Sequence, residues 1–238
     1  MAHLRIDQPA HKTSFAIDDM YYDAAKRNLK EALGRMTAIR KAEVQFRRLE
    51  RKEAVILQKH GGDELEAYGD LEPVYIGMED AHVQIGDAYG PFLQCVATVH
   101  ILSAAALEAH INAKAQELLS GRVHDCFERF PLDAKWLLLP RLVGLPGFEP
   151  GRMPFQGLLK LVRFRNELVH HKRKTEEWRY GRVPKCLANL GLTAEAGRGS
   201  VQAVEAMVRS LSRQLKTAAP DWLSGKGLGY FTFEIEGA

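Results

Sequence analysis

Residues 158–172 read LLKLVRFRNELVHHK, and this stretch decides how the rest of the chain is interpreted. Its apolar residues recur at helical steps without Gly or Pro, which predicts a buried helix. The same stretch carries arginine, asparagine and two adjacent histidines. A buried polar group needs a partner or a function, because burying it uncompensated costs free energy.

The polar residues of this helix fall into a pattern. At roughly 100° per residue, Arg163, Asn166 and His170 share one stripe. Arg165 lies roughly 140° from His170 on the same wheel, so its side chain either curls back or serves a neighbouring chain. The structural alternative is a helix C-terminus, where the basic run of residues 170–173 complements the helix dipole and stays in solvent.

Composition and charge describe an ordinary soluble protein. The chain has 238 residues, 46% hydrophobic and 26% charged, and its net charge of +3 permits a nucleic-acid partner without requiring one. Three widely separated cysteines favour a reduced compartment. The N-terminus lacks an apolar signal core, and no later run is expected to span a membrane. These features predict a cytoplasmic protein without a membrane partner.

Several motif classes are missing from the sequence. It contains no glycine-rich phosphate loop ending in Gly-Lys-Ser or Gly-Lys-Thr, no dinucleotide fingerprint and no Gly-x-Ser-x-Gly elbow. No two histidines lie four residues apart around a glutamate, and His110 and His124 stand alone. The sequence therefore predicts neither a metal site nor a cofactor.

A long helix is predicted near the N-terminus. Asp18 and Asp19 are good N-caps, and helical spacing continues to Gly61-Gly62. Because roughly forty residues exceed the usual helix length, this helix breaks near Gly34 or lies along a partner. Its basic residues either contact phosphates or form a solvated face with local acidic partners. The basic residues are Arg40, Lys41, Arg47, Arg48, Arg51 and Lys52, and the acidic ones are Glu43, Glu50 and Glu53.

The rest of the chain divides into a connector, a helical region and a tail. Residues 63–89 are predicted to connect, and helices are predicted at 92–119 and 201–215. Alternating residues 230–236 predict a strand that pairs with residues 4–6 or with a second chain. The expected organisation is a long helix with its connector over 1–89, a helical bundle over 90–220 and a tail with a short strand over 221–238.

Glu108 is the odd member of an apolar stripe in the helix at 92–119. A carboxylate among Ala and Leu is costly unless a cation or several donors meet it. The sequence names Arg163 or Arg165 as that cation. The alternative places Glu108 in solvent at the rim.

Arg165-Asn166, three further residues and then His170 resemble the signature of the HEPN superfamily (higher eukaryotes and prokaryotes nucleotide-binding). That signature is Arg, four to six residues, then His, commonly with a polar residue after the Arg. Residues 158–172 resemble its third core helix, and residues 103–112 resemble the earlier core helix that packs on it. The likeness covers about residues 90–220. It implies a mostly α, HEPN-like bundle, to which the long N-terminal helix and a small terminal β element are additions.

The resemblance also implies a function. Members are often metal-independent endoribonucleases, many of them toxins or defence effectors with a neutralising partner protein. It implies a homodimer in which Arg165 of one chain and His170 of the other act on RNA. Asn166 would orient one of these two side chains. Other members of the superfamily are non-catalytic interaction or nucleotide-binding modules. Further supporting residues would be Arg163, Glu108, His171 and Lys172, the last standing where some toxins carry a modified Tyr.

Overall fold

The computed structural model describes residues 11–171, 184–225 and 231–235. The protein is mostly helical, as predicted. Its helices are α1 Ile17–Lys59, α2 Glu64–Leu118, α3 Gly121–Phe127, α4 Leu132–Leu142, α5 Phe155–Val169, α6 Lys185–Asn189 and α7 Ala194–Leu215, followed by a 3-10 turn at Asp221–Ser224.

Two strands, β1 His11–Phe15 and β2 Phe231–Ile235, pair in antiparallel register. His11 lies opposite Ile235, and Phe15 lies opposite Phe231. β2 falls within the stretch predicted as a strand. The partner predicted for it, residues 4–6, lies outside the described residues.

The long N-terminal helix is confirmed. α1 has 43 residues and continues through Gly34 without a break. Asp18 and Asp19 occupy its first turn, where carboxylates complement the helix dipole. Ala32, Ile39 and Ala42 are buried, so packing on one face holds the helix together beyond the usual length.

The predicted connector was wrong, because residues 64–89 belong to α2. Asp63 caps this helix, with its Oδ1 atom accepting from the backbone N–H groups of Leu65 at 2.9 Å and Glu66 at 3.2 Å. The helix has 55 residues and contains Pro73 and Pro91, so the domain boundary predicted at residue 90 lies inside it. Its buried stripe, spaced at three, four or seven residues, is Ala67, Leu71, Val74, Ala81, Ile85 and Ala88. Packing of this stripe overrides the low helix propensity of its Gly and Pro residues.

α1 and α2 form an antiparallel hairpin. Gly61 and Gly62 turn the chain with φ values of 63° and 87°, a region that glycine adopts without strain. Near the turn, the Asp70 carboxylate lies 3.4 Å from Lys59 Nζ and 3.2 Å from His60 Nε2. Farther along, Leu49 packs so closely on Gly77 that an added Cβ would lie 3.1 Å from its Cδ1 atom.

The chain forms two compact units. Among the described residues, the hairpin unit comprises 25–101, 163–171 and 184–201, and the bundle unit comprises 11–24, 102–162, 202–225 and 231–235. The hairpin unit buries apolar residues of α1 and α2 with Leu190, Leu192 and Ala194. In the bundle unit, Trp136 is fully buried and its Nε1 atom donates to the Leu107 carbonyl at 3.2 Å.

α2 is long and apolar enough to cross a membrane when judged by length and composition alone. This criterion is weak evidence, because the core helix of a soluble protein also meets it, and half of the most apolar window of α2 is buried inside the protein. The expectation that no run spans a membrane therefore stays a prediction. The cytoplasmic location stays a prediction.

Candidate functional site

The helix that carries the predicted site, α5, changes character along its length. Phe155, Leu158 and Leu161 are buried, which agrees with the expectation of a buried helix. The expectation fails for the second half, where Val169 is 61% exposed and every residue from Arg163 to His171 except Phe164 and Leu168 is exposed. The polar residues at this end of α5 are therefore in contact with solvent and are not buried.

Phe164 anchors the exposed half of α5 in the hairpin unit. Its ring lies 5.0 Å from the His100 ring, centroid to centroid. On another side it lies against Gly191, where an added Cβ would be 2.6 Å from the ring. Leu168 packs on the buried core of the same unit. These contacts fix which face of α5 is presented to solvent.

His100 supports this anchor from within the core and is fully buried. Its Nε2 atom lies 2.8 Å from the Gly191 carbonyl, which can only accept, so Nε2 carries the proton. Nδ1 then accepts from the Ser200 hydroxyl at 2.7 Å. Burial lowers the pKa of His100, although the bond to Gly191 opposes that shift. This network was not predicted from the sequence, because His100 and Ser200 are a hundred residues apart.

Arg165, Asn166 and His170 lie together at the exposed end of α5. The Arg165 guanidinium donates from Nη1 to Asn166 Oδ1 at 3.0 Å, so its side chain curls back toward the stripe that holds Asn166. The Asn166 backbone carbonyl accepts from the His170 backbone N–H at 3.0 Å. This bond continues the helical hydrogen bonding by one residue. Thus Asn166 bonds to Arg165 through its side chain and to His170 through its backbone.

The supporting residues predicted beside them have different surroundings. Arg163 is exposed, and its guanidinium carbon lies 5.1 Å from the centroid of the Phe164 ring, within the range of a cation–π contact. His171 is exposed. Lys172 lies outside the described residues. The exposed end of α5 therefore presents two guanidinium groups and two imidazoles to solvent.

Glu108 has a different partner from the one predicted. Its Oε1 atom accepts from Lys135 Nζ at 3.2 Å, so the assignment to Arg163 or Arg165 was wrong. The Lys135 side chain is only 3% exposed, whereas that of Glu108 is 41% exposed. Lys135 lies in the apolar run of α4, where nothing in the sequence predicted a buried cation. Glu108 therefore neutralises a buried lysine, which explains its place on an apolar stripe.

The bundle unit contains a polar pair that sequence reasoning missed. His110, predicted to stand alone, lies with its Nδ1 atom 2.9 Å from Asp18 Oδ2 and is stacked on Trp136 at 6.2 Å. Burial raises the pKa of Asp18, but the hydrogen bond and charge of His110 and nearby backbone donors outweigh burial and lower it overall. The two residues are 92 positions apart, beyond the reach of any local pattern.

Asp18 also lines a cavity of about 340 Å³ with Asn112, Gln116, His124 and Glu128. The Oδ1 atom of Asn112 is buried without a hydrogen-bond partner in the described structure. Across the described ranges 11–171, 184–225 and 231–235, no three side chains of His, Cys, Asp or Glu are arranged to hold a metal ion. The cavity is a second polar feature, separate in chemistry from the cationic end of α5.

Comparisons with known proteins do not identify the chain further. No family model, curated protein or solved structure matches it significantly. The resemblance to the HEPN superfamily therefore depends on the residues themselves. Any functional conclusion has to come from the chemistry of the exposed end of α5.

Proposed function

We propose that the protein is a metal-independent endoribonuclease of HEPN type, acting as a dimer through Arg165 and His170. One observation carries the proposal. Arg165, Asn166 and His170 are exposed at one end of a well-anchored helix, and the Arg165 guanidinium donates to the side chain of Asn166. A phosphate-binding cation and a proton-transfer group are thus accessible to a large substrate.

The proposed reaction needs only these groups. One His170 takes the proton from an RNA 2'-hydroxyl as that oxygen attacks the adjacent phosphorus. The bond from phosphorus to the 5'-oxygen breaks, and the neighbouring imidazole of His171 gives that oxygen a proton. The Arg165 guanidinium binds the phosphate and its growing negative charge. The products are a 2',3'-cyclic phosphate and a 5'-hydroxyl.

The proposed dimer rests on the spacing of two residues along one helix. Arg165 and His170 leave the α5 backbone roughly 140° apart, and the hydrogen bond to Asn166 brings the Arg165 guanidinium back only as far as its neighbour. Two copies of α5 that face each other would bring Arg165 of one chain beside His170 of the other. Exposed apolar surface at Val169, which is 61% exposed, would be covered in such a contact.

The first test is cleavage of labelled RNA in EDTA by wild-type protein and by His170→Ala and Arg165→Ala. Each substitution should reduce the rate about 100-fold or more, the usual contribution of an acid–base group or a charge-stabilising donor. Arg152→Ala is the matched control, because Arg152 is exposed and its one ion pair within the described residues is with Glu149. Wild-type rates in both site variants would refute the assignment.

The second test mixes the two inactive variants. If each site combines residues of two chains, a heterodimer of Arg165→Ala and His170→Ala contains one intact site. Random exchange should then restore about a quarter of wild-type activity, since half of the dimers are mixed and each has one working site of two. Persistent inactivity after verified exchange would show that Arg165 and His170 act within one chain.

A non-catalytic interaction module is the second candidate, and the exposed apolar residues of the hairpin favour it. Leu65 is 87% exposed, Val44 69%, Val55 64% and Tyr68 61%. Such residues on a long hairpin suit contact with another protein. RNA that stays intact with concentrated wild-type protein would favour this candidate. The nuclease proposal includes a role as a toxin or defence effector with a neutralising protein. Measuring the growth of cells after induced expression tests that role.

A further inference from the structure

The outward side of α1 carries a separate concentration of positive charge. We call the six residues Arg40, Lys41, Arg47, Arg48, Arg51 and Lys52 the basic face, and all six are exposed. At roughly 100° per residue they fill a sector of about 140°, in two adjacent rows. The acidic residues of this region, Glu43, Glu50 and Glu53, fall outside that sector. The charge is therefore segregated rather than mixed.

The basic face lacks the local ion pairs that its sequence allows. Within the part of the chain that the structure describes, no carboxylate lies within ion-pair distance of the six side chains. By contrast, Arg35 on the same helix meets Glu31 at 3.1 Å. Burial and the nearby carboxylate of Glu53 raise the pKa of Tyr75 on α2, so Glu53 acts on α2. The structure therefore does not contain the predicted alternative, a solvated face whose basic residues pair with local acidic residues.

Unpaired like charges on one helix repel each other. Arg47 and Arg51, and likewise Arg48 and Lys52, are spaced at i and i+4, where each like-charged pair costs about 0.2–0.5 kcal/mol. A polyanion would relieve that repulsion. From residue 40 to residue 52 the face extends about 18 Å, the length of about five phosphates at 3.4 Å per nucleotide of a stacked strand. Four of its six cations are arginines, which bind phosphate in bidentate fashion.

We infer that the basic face binds the phosphate backbone of RNA and thereby captures the substrate for the site on α5. The inference rests on the proposed function for the identity of the polyanion. A lipid surface fits less well, because a membrane-bound helix inserts its apolar side. The apolar side of α1, including Ala32, Ile39 and Ala42, is already buried.

The experiment measures RNA affinity in protein that cannot cleave. Two proteins are compared: His170→Ala alone, and His170→Ala with four further residues changed to Gln, namely Arg47, Arg48, Arg51 and Lys52. The binding of each to a labelled, unstructured single-stranded RNA is measured at several salt concentrations. Each lost contact to a single strand lowers the slope of log K against log salt by about 0.7. The slope should therefore fall by up to about 3 with four contacts removed. Circular dichroism confirms that the helices are intact.

A charge-matched control separates location from net charge. It changes Arg122, Arg129, Arg152 and Arg198 to Gln, all exposed residues outside the basic face. This control should keep most of the wild-type slope. Equal slopes for the two sets, or loss of binding to anionic phosphatidylserine vesicles with RNA binding unchanged, would overturn the inference.

The outcome is independent of the catalytic proposal. A large fall in slope, in a protein whose wild-type form cleaves no RNA, would support the basic face and refute the nuclease. Cleavage that depends on His170, with an unchanged slope, would support the nuclease and refute the basic face.

Discussion

Replacing Gly191 with alanine should strongly destabilise the hairpin unit. Gly191 has a φ of +70°, in the left-handed region where a side chain strains the backbone. A Cβ there would also lie 2.6 Å from the Phe164 ring, closer than any ordinary carbon contact. The ring has little room to retreat, because it also contacts His100 at 5.0 Å.

The expected loss follows from these two effects. Left-handed backbone costs a non-glycine residue about 1–2 kcal/mol. Forcing an extra methyl into a packed core costs about 1–3 kcal/mol. Gly191→Ala should therefore lower the free energy of unfolding by about 2–5 kcal/mol, a large part of the stability of a typical protein.

Urea unfolding followed by circular dichroism measures this loss, and two other glycines provide controls. Gly144 has a φ of +79° with nothing within 4 Å of an added Cβ, so Gly144→Ala isolates the backbone cost of about 1–2 kcal/mol. Gly199 lies inside α7 in open space, so Gly199→Ala should stabilise by about 0.5–1 kcal/mol. If Gly191→Ala loses no more than Gly144→Ala, the tight contact with Phe164 is refuted.

Three further predictions concern buried polar groups. Burial lowers the pKa of His100 below its unfolded value of 6.5, so its contribution to the free energy of unfolding is full above pH 6.5 and falls as the pH drops below 6.5. Urea titrations at several pH values should show this dependence of the unfolding free energy on pH, and His100→Gln should flatten it. Asp18→Asn should cost about 1.5–3 kcal/mol by weakening a charged hydrogen bond to His110, and since the pKa of Asp18 is lowered from 3.8, wild type should lose this contribution in acid below that value. Glu108→Ala should cost about 1–3 kcal/mol by stranding the Lys135 ammonium, whereas Lys135→Met should be near neutral in the same unfolding assay.

Local spacing predicted the helices whose packing faces are continuous in sequence. Helical spacing that continues to Gly61-Gly62 marked α1, and apolar steps marked α5. The first half of α2 was missed because Gly, Pro and acidic residues separate its buried positions from Ala67 to Ala88. There, packing against α1 decides the structure, and such tertiary effects are not visible in a local window.

Polar partners were harder to predict than helices. A cation beside Glu108 was one of two alternatives that the sequence left open, and the cation it named was Arg163 or Arg165 instead of Lys135, because the choice depends on how α4 packs. His110 and Asp18 are 92 residues apart, and only the folded chain brings them together. Arg165 and Asn166 are adjacent on one helix, where side chains point roughly 100° apart and do not ordinarily face each other, so their hydrogen bond was not predicted either.

The two proposals predict different effects of salt concentration on KM and kcat. Phosphate contacts along the basic face would be equally strong before and during the chemical step, so they lower KM without raising kcat. The Arg165 contact would strengthen as negative charge grows in the transition state. Raising salt should therefore increase KM for long RNA several-fold while leaving kcat nearly constant, and Arg165→Ala should lower kcat at every salt concentration. A kcat that falls with salt in parallel with binding would show that the basic face does not act as a separate capture surface.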